Sequence, residues 1–169
     1  MHVGGICMRI AVSACLLGET CRYDGRSKPC ARVQELVGLG HELVPVCPEV
    51  AGGLSTPRTP CEIVRAPWME SGKARAANER SWTILDASGA DRTAAYARGA
   101  QAELARAKEA GCELAILKAK SPSCGSGEVY DGTFSGTLVP GWGIAAATFR
   151  DAGIAVIDET ADFSRLSRM

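Results

Sequence analysis

Four short apolar runs set the frame of this chain. Residues 8–14 (MRIAVSA), 42–46 (ELVPV), 112–117 (CELAIL) and 154–157 (IAVI) have the length and composition of strands. Stretches with helical character lie between them. Residues 31–39 carry Val33, Leu36 and Val37 at helical spacing and stop at Gly40. Residues 91–110 are Ala-rich, with Asp91 as the expected N-cap and Gly111 at the stop. Residues 144–152 read as a shorter helix opening after Gly141-Trp142-Gly143. Strand and helix alternate, which predicts an α/β fold: one domain, a mainly parallel sheet flanked by helices, Rossmann-like and three-layered. Pro45 weakens the second strand, because it cannot donate to a ladder.

The alternation lapses between residues 50 and 91. Residues 52–60 (GGLSTPRTP) form a long loop insertion after the second strand. Glu62-Ile63-Val64 and Trp82-Thr83-Ile84-Leu85 read as short extra strands within or beyond it. Loops of this length in a compact domain are commonly functional. Residues 18–30 form a second loop, with Asp24-Gly25 as its turn signal. The third strand leads into residues 118–125 (KAKSPSCG) and a glycine-rich stretch through Gly143.

Charge and composition remove several functions. Lys+Arg and Asp+Glu are 19 each, so no basic surplus exists for nucleic acid or an anionic membrane, and strong nucleic-acid binding is not expected. Aromatics are 5%, too few for a stacking platform on single-stranded RNA. No apolar run approaches the ~18 residues of a membrane span. The N-terminal residues lack a basic segment followed by an apolar one, so no secretory signal is expected. Eight cysteines in 169 residues are then read as cytoplasmic, reduced thiols, used for metal ligation or catalysis rather than cross-linking. None of them has C-x-x-C spacing, which disfavours zinc ribbons, thioredoxin-like sites and bacterial ferredoxins.

Ligands of open α/β sheets sit beyond the carboxyl ends of the strands. Cys15 follows the first strand, Cys47 the second, and the third leads to Cys124. Three thiols distant in sequence are thereby expected to converge. Such a trio can hold zinc with an open fourth position, hold three irons of a [4Fe–4S] cluster with the fourth iron open, or serve as small buried hydrophobes.

The residues around these thiols carry a resemblance. The segments SACLLG (13–18), CRYDG (21–25), VPVCPE (44–49) and GGLSTPR (52–58) resemble successive motifs of the TudS-like thiouracil desulfidases. So do AILK (115–118), SPSCG (121–125), YDGTFSG (130–136) and GWGI (141–144). The likeness runs from about Arg9 to Glu159. It divides the chain into an N-terminal extension (1–8), a desulfidase-like domain (9–159) and a C-terminal tail (160–169).

The resemblance implies an oxygen-sensitive [4Fe–4S] cluster on Cys15, Cys47 and Cys124, whose open iron binds the sulfur of a thiolated pyrimidine. The implied reaction is hydrolytic: thiouracil and water give uracil and hydrogen sulfide, with no net electron transfer. Attack on the ring carbon needs a proton acceptor for water. Glu49, two residues past Cys47 and on the same face of an extended segment, is the expected general base. Burial beside a negatively charged cluster would raise its pKa. Ser121 is the expected proton relay, with Ser123 as its rival and a turn-forming role as the competing use. Ser13, Asp24, Ser123 and Gly125 are expected at the substrate. Lys118 or Lys120 could offset the cluster charge. Cys21 is the rival third ligand. Cys7, Cys30, Cys61 and Cys112 are core or surface thiols by default, and His41 a turn residue. The Gly141-Trp142-Gly143 turn could offer backbone N–H groups to an anion.

Two alternatives stay open: a non-catalytic zinc-binding or redox-sensing thiol module, and desulfuration of thiouridine within tRNA. The expected partner is a small thiopyrimidine. The sequence says nothing about oligomeric state.

Overall fold

The computed structural model describes residues 7–65 and 81–166. Four strands make the central sheet: β1 (Arg9–Ser13), β2 (Glu42–Val46), β5 (Leu114–Leu117) and β8 (Ala155–Asp158). Their order is β2-β1-β5-β8 and every pair is parallel. β5 is buried along its whole length, as an inner parallel strand covered on both faces should be. Pro45 is tolerated because β2 is an edge strand, where one missing donor costs little.

The pleat sorts side chains into two cores. Ile10, Val12, Leu114 and Ile116 point to one face and pack with Cys15, Leu16, Val33, Leu36 and Phe163. Ala11, Ala115 and Leu117 point to the other and pack with Leu104, Ala107, Ala146 and Phe149. That second layer consists of α3 (Thr93–Glu109) and α4 (Ile144–Asp151). The first layer is thinner: α1 is only Ala31–Gln34, and the chain tightens to a 3-10 helix over Glu35–Leu39. The fold is the expected α/β three-layer domain.

Some expectations change. Asp91 is not the N-cap of α3; Arg92 is, and the Asp91 carboxylate accepts the Thr93 N–H at 2.8 Å. The expected extra strands are β3 (Cys61–Arg65) and β4 (Trp82–Asp86), paired antiparallel. Residues 66–80 of the insertion lie outside the described residues. The glycine-rich stretch, to which no element is assigned from the sequence, holds a second hairpin, β6 (Ser126–Tyr130) with β7 (Leu138–Trp142). The two hairpins meet over Ile63, Ile84, Val129 and Tyr96. His41 is buried and ties the chain ends: Nδ1 accepts the Met8 N–H, and Nε2 donates to the Leu166 carbonyl. Phe163 lies beyond the motifs and is nonetheless buried in the first core.

Candidate active site

Three chain reversals at the carboxyl edge of the sheet build the site. Cys15 stands in the 3-10 turn Ala14–Leu17 that follows β1. Cys47 ends β2 in extended conformation and caps α2 (Pro48–Ala51), a single helical turn with proline at its start. Cys124 lies in the turn between β5 and β6. All three line one cleft of about 610 Å³.

The Cys124 turn is fixed by its own backbone groups, two of them gathered on one side-chain hydroxyl. Ser121 Oγ accepts the N–H groups of Ser123 (3.1 Å) and Cys124 (3.2 Å). The N-terminus of α4 docks onto the same turn: Ile144 donates to the Pro122 carbonyl, and Ala145 and Ala146 to that of Ser123. Gly143 makes this approach possible, since a Cβ there would sit 2.5 Å from the Ser123 carbonyl oxygen. The Gly141-Trp142-Gly143 segment therefore offers no anion nest. Gly141 and Trp142 end β7, and the N–H groups that follow are taken by this turn.

The sulfurs attract donors. Ser123 Oγ lies 3.4 Å from Cys124 Sγ, and the Ser13 hydroxyl also hydrogen-bonds it. Ser13 Oγ in turn accepts the Lys118 N–H at 2.8 Å. Burial pushes the Cys124 thiol up to about 12, against the pull of the two serines. The Cys47 thiol is raised by its hydrogen bond with Cys21 and by burial, while the Val50 N–H opposes both. Cys21 touches both other thiols and is pushed up to about 11, first by its bond to Cys15. The cleft is lined by five thiols, those of Cys15, Cys21, Cys47, Cys61 and Cys124, and Cys21 belongs with Cys15 and Cys47. Hydrogen-bond donors aimed at sulfur are what thiolates ligating a metal require.

A second wall faces them. Glu49 and Arg58 form an ion pair at 2.6 Å whose side chains are 13% and 8% exposed. Burial opposes the Arg58 charge, yet Glu49 outweighs it and holds the guanidinium above its ordinary value. Tyr96, buried, hydrogen-bonds the Cys61 thiol and completes the wall. Burial holds the Tyr96 phenol far above its ordinary range, so it remains a neutral donor.

The structure gathers Cys15, Cys47, Cys124, Glu49, Ser121, Ser13 and Ser123 into one lining. It corrects the way Glu49 arrives: residue 49 is in the first turn of α2, not in an extended segment, and its carboxylate is paired with Arg58. Asp24 and Gly125 do not line the cleft. Asp24 pairs with Arg22 and caps its own turn, and Gly125 packs against the Ser121 carbonyl. Lys118 is neutralised by Glu159 at 2.9 Å. Arg58, Tyr96 and Cys61 were not foreseen. For Arg58 the available signal was its place at the end of the GGLSTPR motif.

The donor set fits an iron–sulfur cluster: five free thiols at one cleft, none of them in a disulfide. Among the described residues, no three His, Cys, Asp or Glu are arranged about a single metal ion. A polynuclear cluster places its ligands on separate metal atoms and asks for wider spacing.

Fold and cleft together define a thiol-rich α/β protein with its chemistry at the carboxyl edge of a parallel sheet. The model of the 2-thiouracil desulfurase family matches residues 10–161. The chain belongs to that family. It is 43% identical over 150 residues to the Bacillus subtilis (strain 168) protein YbbK, a match spanning 89% of this chain and 95% of that one. It is also similar to the solved structure of the [4Fe-4S]-dependent thiouracil desulfidase TudS. That structure is 40% identical with a TM-score of 0.75, over 90% of this chain and 91% of the other.

Proposed function

We propose that this protein hydrolyses the C–S bond of a thiolated pyrimidine, converting thiouracil and water to uracil and hydrogen sulfide. One observation carries the reading: Cys15, Cys47 and Cys124, from three strand ends, line the same cleft as Glu49 and Ser121. These three cysteines would hold a [4Fe–4S] cluster. When bound, the cluster supplies an iron Lewis acid with affinity for sulfur, which makes the carbon bearing that sulfur more electrophilic.

The rest is the work of the chain. Glu49 Oε2 is occupied by Arg58, which leaves Oε1 to take the proton of the attacking water. Ser121 Oγ accepts two backbone N–H groups, so its hydroxyl hydrogen is the part left to move a proton toward the ring. Ser13 and Ser123 steady the Cys124 sulfur from its buried side. We place the reaction in the cytoplasm, where thiols stay reduced; all eight cysteines being free supports this. No helix among the described residues is long and apolar enough to cross a membrane.

The test is anaerobic purification. The expected product is brown protein that releases one sulfide and one uracil per thiouracil consumed. A colourless protein without turnover after cluster reconstitution breaks the proposal.

A further inference from the structure

The Arg58 side chain is almost fully enclosed, and all three of its nitrogens are engaged. Nε donates to Glu49 Oε2 at 2.6 Å. Nη1 donates to the Ser55 carbonyl and to Thr56 Oγ1, both at 3.1 Å. Nη2 donates to the Cys21 carbonyl at 2.9 Å. The Arg58 backbone N–H reaches the Tyr23 carbonyl at 2.8 Å, so main chain and side chain hold the same loop. One residue therefore joins the carboxylate of Glu49, its own loop and the segment that carries Cys21.

This arrangement has a purpose that stability alone does not explain. Glu49 is a flexible side chain on a one-turn helix, and a free carboxylate there would sample several rotamers. α2 itself is firmly seated: it lies against α3 at Gly99, where a Cβ would come 1.7 Å from the Pro48 carbonyl oxygen. The backbone of Glu49 is thus placed by packing, and its carboxylate by Arg58.

We infer that Arg58 is a positioning residue for Glu49, holding its carboxylate at a set distance from the thiols of the Cys21 loop. The inference rests on the desulfidase reading above. Displacing a reacting group by about 1 Å can cost about 10²-fold in rate. A lysine restores a charge beside Glu49 but cannot fork to the Cys21 carbonyl as well.

Two variants test it. Arg58→Gln is expected to keep wild-type iron and sulfide content, hold KM within about threefold, and lose about 10²-fold in kcat on thiouracil. Arg58→Lys is expected to regain about tenfold of that loss. Crystals of metal-free Arg58→Gln should show the Glu49 carboxylate moved from its present place. A kcat for Arg58→Gln within threefold of wild type overturns the inference. So do a loss that tracks missing iron, unfolding of both variants, a lysine variant no better than the glutamine one, or an undisplaced Glu49. Wild-type protein that holds its cluster but leaves thiouracil intact breaks the desulfidase reading instead.

Discussion

The two walls of the cleft are built by different means. The Cys124 wall is held through its main chain: the Ser121 hydroxyl gathers two N–H groups, α4 contributes three more, and Gly143 lets them close. The Glu49 wall is a matter of side chains: a carboxylate, a guanidinium, a phenol and a thiol, set by each other. Contacts made to main chain adjust less than contacts between side chains. Side-chain contacts can shift by fractions of an ångström, which suits groups that exchange protons.

This contrast predicts where damage will show. Cys124→Ser should reduce bound iron to background and abolish turnover, measured by iron analysis and sulfide release; an iron-loaded, active variant would undo the assignment of the first wall. Glu49→Gln should do the opposite, keeping colour and iron while lowering kcat by about 10²–10⁴-fold. If that variant also loses its iron, the walls are not separable.

Gly143→Ala should affect both metal loading and stability, because its Cβ meets backbone that cannot yield. Thermal unfolding should record a loss of about 1–3 kcal/mol. Ser121→Ala leaves the Ser123 and Cys124 N–H groups short of an acceptor and should cost about 1 kcal/mol. Its kcat separates the two uses of Ser121: a fall beyond the fall in iron content shows proton transfer, and a parallel fall leaves only the turn.

The smallest effect concerns the support behind the second wall. Asp86, opposite Cys61 in the β3–β4 register, accepts bonds from Ser88, Ala90 and Arg92. The Ser88 hydroxyl first, with Ala90 and Arg92 behind it, holds its carboxyl well below the usual range. A group depressed on folding contributes stability above its unfolded value of about 3.9, and that contribution fades as pH falls below it. The gap in melting temperature between wild type and Asp86→Asn should therefore narrow progressively as pH falls below about 4. A gap that does not narrow with falling pH would remove Asp86 from this role.

Legibility in the sequence follows the same division. The parallel sheet was readable because buried strands are apolar runs, and the meeting of Cys15, Cys47 and Cys124 at one cleft because a strand's end is also where its loop begins. The β6–β7 hairpin was not, since glycines at 127 and 141 and Pro140 conceal its alternation. Glu49 was expected in the cleft on an argument about extended backbone that Pro48 overrides by starting a helix. Arg58 could not be placed at all: its partners lie nine and 37 residues away, and only folding brings them together. Ser121 satisfied the turn-forming use by its hydrogen bonds, and sequence spacing carries no information about a hydroxyl's remaining hydrogen.

Pro45 has an effect beyond its own strand. It lies on β2, whose outer side has no neighbour in the sheet among the described residues. Another polypeptide trying to zip onto that border would find a ring where a donor belongs. The strand that delivers Cys47 therefore offers an incomplete row of donors along its free side.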